Sequence, residues 1–228
     1  NNDWTSEGGL TESDVMVDSP TNNFAVMNPL TRLGVTGTNS QVFSQGNLRM
    51  SQTAALWACY GSTHSMTTGK YYWEMFMAFT GSGGTDVNMG MVVSDFNRAS
   101  AAGIDTVGAY SLYAAGAGNG VRYDNSASGT DLGSGYHFTW GDIVQVAYDA
   151  DSGKMWVAKN GTWFGSGNPA TGANPFLTVN ATNKGNLIPA FSQYHAHSEI
   201  IANFGSDSSF AGTKTPQGNQ DNNLQGDF

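Results

Sequence analysis

The sequence predicts an all-β fold, a two-sheet antiparallel β-sandwich, and the clearest evidence is a hairpin in its second half. Apolar residues alternate along residues 143–149 and 154–159, which is the period of a pleated strand. Gly153 can take the positive φ that closes a four-residue turn between them, which sets Asp149 opposite Lys154. Both faces of the hairpin then carry apolar side chains, so we expect it inside a sandwich. The predicted register pairs Tyr148 with Met155, Val146 with Val157 and Ala147 with Trp156.

A second turn extends this hairpin into a meander of three strands over residues 141–164. Asn160 and Gly161 provide the two positive-φ positions of a type I′ turn, a strong hairpin signal. The composition supports a packed core, because 39% of the residues are hydrophobic and 12% are aromatic. At 228 residues, the chain is long enough for one sandwich with extensions.

The other predicted strands alternate with polar, glycine-rich segments. The segment GAGNG at 116–120 has the wrong glycine spacing for a dinucleotide site, and a strand follows it instead of a helix. It is therefore predicted to be a hairpin turn. We expect strands within residues 48–79, 87–93, 109–114, 120–124 and 187–204, and loops at 94–106, 125–136 and 165–186.

The pattern divides the chain into three regions. Residues 1–46 lack sustained periodicity and are expected to form an extended, partly ordered arm, whereas residues 47–207 form the sandwich. Residues 208–228 are expected to be an irregular tail, held mainly by Phe210 and Phe228. Because the sequence does not begin with Met, we expect a processed or partial product.

Charge and hydropathy disfavour several classes of partner. The net charge is −9 and Lys and Arg together number only 9, so we expect neither nucleic-acid binding nor attraction to an anionic membrane surface. No apolar run approaches the roughly 18 residues of a membrane-spanning helix, so no membrane insertion is expected. Cys59 is the single cysteine; it cannot form an intrachain disulfide and is predicted to be buried.

Three segments, in order, resemble the sequence pattern of SPRY domains. GDIVQVAYDADSGKMWVAKNGTW at 141–163 resembles the signature hairpin of the family, with an Asp-rich turn before a strand that ends in Lys-Asn-Gly. GKYYWE at 69–74 resembles another family strand, and LIPAFS at 187–192 with IIANFG at 200–205 resembles its closing hairpin. This resemblance, over residues 48–207, implies a bent, concanavalin-like jelly roll that binds a partner through loops at one end and has no chemistry of its own.

Two further features resemble bacteriophage proteins. Low Lys and abundant Asn, Gly and Thr are similar to the composition of phage tail and fibre proteins. Residues 18–30 resemble a segment that often precedes SPRY domains in marine phage proteins. These resemblances imply a protein of the virion, with the arm docked on neighbouring virion subunits and a trimer as the expected homo-oligomer.

The sequence offers little for catalysis. A retaining glycoside hydrolase needs two carboxylates about 5–5.5 Å apart, but the four glutamates, Glu7, Glu12, Glu74 and Glu199, do not form the Glu-x-Asp-x-x-Glu pattern of laminarinase-like sandwiches. Glu74 is predicted to be an edge or rim residue paired by a local donor. No G-x-S-x-G motif occurs. We expect no catalytic residue and no cofactor.

Two segments carry residues of the types that bind metal ions. The turn at 149–153 has its glycine one place early for a calcium loop, so it is predicted to be a capped hairpin turn. On a straight strand, His195, His197 and Glu199 would share one face and could bind zinc. Because apolar strands flank them closely, residues 194–198 are instead predicted to form a hairpin tip, and no metal site is expected.

The same hairpin tip is the predicted ligand-binding rim. In peptide-binding SPRY domains the matching tip binds ligand together with the loop after the strand that corresponds to residues 87–93. The resemblance therefore nominates Tyr194, His195 and His197, with Asp95 and Phe96 opposite them. Several peptide binders have Trp-Gly where this chain has His-Ala, so their ligand preference is not carried over. Among the tryptophans that could stack on sugars, Trp163 is nominated because it follows a tight turn.

The function predicted from these observations is recognition without catalysis. We expect a virion surface or tail-fibre protein whose loops attach to a host surface glycan or protein. A structural decoration protein of the virion with no host ligand is the first alternative, and an enzyme that degrades surface polysaccharide is the second. A cellular SPRY adaptor that binds a peptide motif is the third, and the composition and the N-terminal segment disfavour it.

Overall fold

The structure, a computed structural model, describes residues 23–33, 41–79, 84–96, 103–220 and 226–228, and its strands form a sandwich of two antiparallel sheets. In chain order the strands are β1 (Met27–Arg32), β2 (Gln41–Ser44), β3 (Arg49–Gln52), β4 (Ala58–Ser62), β5 (Lys70–Phe79), β6 (Val87–Val93), β7 (Ala109–Ala114), β8 (Gly120–Asp124), β9 (Thr130–Gly133), β10 (Ile143–Asp149), β11 (Lys154–Lys159), β12 (Thr162–Trp163), β13 (Leu177–Thr178), β14 (Leu187–Gln193) and β15 (Ser198–Asn203).

The two sheets differ in strand order. The first sheet has the order β1-β4-β14-β6-β7-β8-β9, and the second has the order β12-β11-β10-β5-β15-β3-β2, with β13 also paired to β11. β14 and β15 are neighbours in sequence but lie in different sheets, so they do not form the closing hairpin that the sequence predicted. The four residues between them instead connect the two layers at one end of the sandwich.

The predicted meander is confirmed. β10 pairs with β11 so that Asp149 lies opposite Lys154, and the three predicted apolar pairs are present as well. Gly153 has φ 74°, and Asn160 and Gly161 have φ 49° and 80°, so all three turn positions take the left-handed conformation that the sequence predicted. The Asp149 carboxylate accepts hydrogen bonds from the backbone N–H of Asp151 and Ser152, which makes this a capped turn.

The core between the sheets is rich in sulfur and aromatic side chains. Methionine is unbranched and flexible, so it fills the irregular space between two bent sheets. Trp73 lies at the centre of β5 with 1% of its surface exposed. Other buried members of the cluster are Met50, Met75, Met77, Met89, Met91, Tyr110, Val146, Met155, Val157 and Phe191.

The outer face of the first sheet is covered by the segments that follow β1 and β6. Leu33, Phe96 and Ile104 pack there against Val92 of β6 and Ile188 of β14. Cys59, as predicted, is buried. Apolar residues therefore line both faces of β6 and β14, and this explains why β14 is buried along its whole length.

The outer face of the second sheet is covered in part by the C-terminal tail. The Phe210 ring lies 5.7 Å from the Phe76 ring, and the Phe228 ring lies 5.1 Å from that of Tyr72. The tail is also held by polar contacts, since the Asp227 carbonyl accepts a hydrogen bond from the Asn203 side chain on β15. The described residues after 207 contain no helix or strand.

Several short strands were not predicted. β1 and β2 lie within residues 1–46, which were expected to be an arm, and they add an edge strand to each sheet. β9 lies in the predicted loop 125–136 and β13 in the predicted loop 165–186. These four strands show no sustained apolar alternation, so pairing with a neighbouring strand determines them and the local pattern does not. The first 22 residues lie outside the described part of the chain.

Within the described ranges, no helix has the length and hydrophobicity that a membrane-spanning helix requires.

Candidate functional site

The connection between β14 and β15, residues 194–197, carries three of the residues nominated from the sequence. Its backbone is fixed to both layers of the sandwich. The Tyr194 N–H donates to the carbonyl of Asp86, just before β6, at 3.2 Å. The His197 N–H donates to the carbonyl of Gln52, at the end of β3, at 2.6 Å. The connection is therefore a rigid feature at one end of the molecule.

An Asp–His pair lies beside this connection. Nε2 of His195 is 2.7 Å from Oδ2 of Asp86, and about one fifth of each side chain is exposed (21% and 22%). The Tyr113 hydroxyl and the Gly116 N–H also donate to the Asp86 carboxylate. Burial opposes ionisation, but these hydrogen bonds and the adjacent histidine outweigh it, so the pKa of Asp86 lies below its usual value. The pair is a partly exposed, charged group that a ligand can reach.

Four half-buried aromatic side chains surround this pair. The Trp57 ring lies 5.5 Å from the Tyr194 ring and 5.9 Å from the Tyr113 ring. The Tyr113 ring in turn lies 6.4 Å from the Tyr123 ring. We call these four rings, with Asp86 and His195, the aromatic end surface. Burial and the Asp86 carboxylate raise the pKa of Tyr113, so its hydroxyl remains a hydrogen-bond donor at neutral pH.

A single buried glutamine holds the two halves of this surface together. Gln52, of which 1% is exposed, places Nε2 2.6 Å from the Ala54 carbonyl and 2.7 Å from the Tyr194 carbonyl. The same nitrogen contacts the Leu56 carbonyl. It thus joins the β3–β4 loop, which carries Trp57, to the β14–β15 connection. Gln52 is a positioning residue for the surface.

Asp95 and Phe96 do not join the aromatic end surface. β6 and β14 are antiparallel, with Val87 opposite Gln193 and Val93 opposite Leu187. The loop after β6 therefore lies roughly 20 Å from the β14–β15 connection, at about 3.3 Å per strand residue. Asp95 is exposed at that far end, and Phe96 is 8% exposed within the apolar cover of the first sheet. The expectation that these residues lie opposite the connection was wrong.

His197 and Glu199 do not assemble a metal site with His195. His197 has φ 62°, a left-handed turn conformation, so the three residues do not follow one extended strand. The Glu199 carboxylate accepts a hydrogen bond from Nη2 of Arg49 at 2.7 Å. In the described part of the chain, no three His, Cys, Asp or Glu side chains cluster closely enough to hold a metal ion.

Trp163 is placed away from the other nominated residues. It lies on β12, at the edge of the second sheet, and is half-buried. Its side chain lines a cavity of about 460 Å³ together with Tyr71, Tyr72 and Phe228. The nominated residues therefore divide among three places on the molecule.

Glu74 differs from its predicted setting in one respect. It lies on β5, a central strand of the second sheet, and not at an edge or rim. The predicted local donor is present, because the Tyr72 hydroxyl donates to Oε1 of Glu74 at 2.6 Å.

Sequence reasoning missed most of the aromatic end surface. Gln52, Trp57, Asp86, Tyr113 and Tyr123 come from five separate segments, which strand pairing and the packing of the two sheets bring together. Trp57 was predicted to lie within a strand of the 48–79 region, and only the structure places it in the loop between β3 and β4.

The comparisons with known proteins identify the fold. No protein-family model matches the chain, and no curated protein matches it. Among solved structures, it is similar to the SPRY domain of human HERC1, with 16% identity and a TM-score of 0.52 over 80% of this chain and 98% of that one. A human SPRY domain has 17% identity and a TM-score of 0.54, over 73% of this chain and 96% of that one.

Identities this low bear on architecture alone. The matches extend over nearly the whole length of both neighbours, and this chain has two antiparallel sheets, as the resemblance implied. The protein described here has the SPRY fold.

Proposed function

We propose that this protein is a binding module whose aromatic end surface recognises another protein. The observation that carries the proposal is the cluster of half-buried rings around the Asp86–His195 pair. Partly buried Trp and Tyr residues supply large contact areas with little loss of conformational freedom, and they dominate the energetics of protein interfaces. The charged pair at the centre adds orientation-dependent hydrogen bonds.

The rigidity of the surface favours tight binding of a partner. Gln52 and the backbone contacts of the β14–β15 connection fix the loops before any ligand arrives. Binding then loses less loop entropy, and more of the contact energy appears as affinity. The resemblance to peptide-binding SPRY domains, whose ligand rim matches this connection, supports the same choice of surface.

The biological setting that we propose is the surface of a bacteriophage particle. The support is the phage-like composition and the likeness of residues 18–30 to a segment of phage proteins. In this setting, the arm contacts neighbouring virion subunits, the protein assembles as a trimer, and the aromatic end surface attaches the particle to a host surface protein.

Cell binding tests this function. Fluorescently labelled protein is titrated onto cells of the bacterium that the encoding phage infects, with Trp57→Ala and His195→Ala as variants and Val107→Ala as a control. Val107 is an exposed apolar residue outside the surface, with 67% exposure. We expect Trp57→Ala to weaken binding roughly tenfold or more, and the control to bind like the parent protein.

The partner class and the alternatives are separated in the same assay. Protease treatment of the cells should abolish binding, whereas survival of binding after protease and its loss after periodate would indicate a glycan. Binding to purified virions but to no cells would indicate a structural decoration protein. Release of reducing sugars from cell envelopes would indicate the enzyme. Unchanged cell binding by Trp57→Ala would refute the assignment of the surface.

A further inference from the structure

A second region that can hold a ligand lies on the outer face of the second sheet, away from the aromatic end surface. One cavity of about 430 Å³ is lined by Glu74, Gln145 and Asn160, and we call it the polar cavity. The cavity of about 460 Å³ beside Trp163 is called the aromatic cavity. Tyr72 and Phe228 line both cavities. The two are therefore neighbours, and together they are called the tail trench.

Strand register fixes the floor of the tail trench. Glu74 lies opposite Gln145, Gln145 opposite Ala158, and Ala158 opposite Trp163. Residues paired in this way point to the same face, so the row crosses four adjacent strands, roughly 14 Å from Glu74 to Trp163. Ala158 is fully buried and lines neither cavity, so the two cavities adjoin at Tyr72 and Phe228. The distance from Glu74 to Trp163 accommodates more than one sugar ring.

The polar cavity presents a buried carboxylate with acceptor capacity to spare. Glu74 is 7% exposed, and it accepts hydrogen bonds from Tyr72 at 2.6 Å and from Nδ2 of Asn203 at 3.3 Å. No salt bridge to Glu74 occurs within the described residues. A carboxylate offers about four lone-pair positions, and a buried charge is costly unless several donors reach it. Ligand hydroxyls would supply the missing donors.

Two neighbouring side chains, Tyr72 and Gln145, add hydrogen-bonding groups beside Glu74. Burial and the charge of Glu74 raise the pKa of Tyr72, so its hydroxyl stays protonated and directed at the carboxylate. Oε1 of Gln145 accepts the Gly161 N–H at 3.1 Å, which leaves its amide nitrogen as a donor toward the cavity.

The aromatic cavity adds flat apolar surface beside these polar groups. Trp163 and Tyr71 are half-buried, and Phe24, Phe204 and Phe228 are among the other residues that line this cavity. The apolar faces of pyranose rings pack on such rings, while their hydroxyls need hydrogen-bonding groups alongside. Lys70 lines the aromatic cavity and Lys214 the polar cavity, but Nζ of Lys214 contacts the Gly141 carbonyl and the Phe76 ring. A nucleic acid would bring phosphates toward Glu74 in a chain of net charge −9, so the charge disfavours it.

We propose that the tail trench binds a neutral oligosaccharide. One sugar ring packs against Trp163 in the aromatic cavity, and hydroxyls of a neighbouring ring donate to Glu74 in the polar cavity. This site is independent of the protein-binding surface proposed above, because the two share no residue.

Saturation-transfer NMR and calorimetry with defined oligosaccharides test the proposal. The probes are the tetrasaccharides of β-glucan, α-glucan, chitin and β-mannan, each added to the full chain, to Trp163→Ala and to Glu74→Gln. Val107→Ala is the control, since it removes an exposed apolar side chain that lines neither cavity. Circular dichroism establishes that each variant is folded.

The expected result is saturable binding of at least one tetrasaccharide, weakened roughly tenfold by each trench variant and unchanged in Val107→Ala. If Glu74→Gln proves unstable, Trp163→Ala alone decides, because the Trp163 side chain is only half-buried at the edge of the sheet. Absence of binding to all four probes would overturn the proposal, and so would binding that survives Trp163→Ala or is lost in Val107→Ala. Neither result would affect the protein-binding function, which is tested on protease-treated cells.

Discussion

Replacement of Gln52 by methionine should destabilise the protein and loosen the aromatic end surface. Methionine keeps the length of the side chain but removes its amide, which contacts three carbonyl groups in two loops. A net intramolecular hydrogen bond contributes about 1 kcal/mol, and a buried carbonyl left without a partner costs about 1–3 kcal/mol. Because water can reach part of these loops, we expect Gln52→Met to lower the free energy of unfolding by about 3 kcal/mol.

Urea denaturation followed by tryptophan fluorescence measures this loss, as a lower midpoint at an unchanged m-value. For a chain of this size, about 3 kcal/mol corresponds to a fall of roughly 6–12 °C in melting temperature. The control is Gln217→Met, which changes an exposed glutamine and should leave the midpoint unchanged. A loss below about 0.5 kcal/mol in Gln52→Met would refute the positioning role, because such a change is typical of surface substitutions.

Three further outcomes follow from individual contacts. The lowered pKa of Asp86 means that its ionised form is stabilised by folding, so this stability is present above the unfolded pKa of 3.8 and is lost as pH falls through the lower folded value. In Asp86→Asn, the free energy of unfolding should therefore fall less steeply with decreasing pH below pH 4 than in the parent protein. An equally steep fall would contradict this reasoning. Gly90→Ala should lower the free energy of unfolding by about 3 kcal/mol, because the new methyl group would meet the Tyr110 carbonyl and lie 2.7 Å from Cα of Ser111. Gly135→Ala is the control in the same denaturation assay, because a methyl group there would lie in open space. The buried Cys59 thiol should react with Ellman's reagent slowly in the native protein and rapidly in denaturant, and fast native labelling would show that β4 opens readily.

The meander illustrates what local sequence can predict. Alternating apolar residues fix which side chains share a face, and the turn residues fix the register, so the pairing of Asp149 with Lys154 followed from neighbours in sequence. The same reasoning located β7 and β8 at 109–114 and 120–124. These elements need only local information.

The closing segment shows where local reasoning failed. Two apolar strands joined by four residues have the pattern of a hairpin, but β14 pairs with β4 and β6 while β15 pairs with β3 and β5. Strand patterns carry no information about which strand lies alongside which, because any apolar strand can pair with another. The position of Asp95 and Phe96 was carried over from the SPRY resemblance, and it was wrong because β6 and β14 are antiparallel, so the loop after β6 lies at the opposite end of β14 from residues 194–197.

Glu74 shows a related limit. A single carboxylate among apolar residues was expected at an edge, where water solvates it, yet it lies on a central strand. The tail residues 208–219 and Phe228 cover that face and, with Glu74, enclose a polar cavity. The cavity therefore depends on contacts between segments more than a hundred residues apart, which the local sequence pattern does not encode.

The sequence by itself determined the meander and its turn conformations, because periodicity and positive-φ residues act over a few neighbours, and its three motifs indicated the SPRY-like sandwich. It also nominated Tyr194, His195 and Trp163, but tertiary structure decided which other residues join them in the two candidate sites. The aromatic end surface joins Trp57, Tyr113 and Tyr194 across three strand boundaries, and the tail trench joins Glu74 to Trp163 across four strands. Such groups form when non-local strand pairing sets distances between side chains, and that pairing is a property of the whole folded chain.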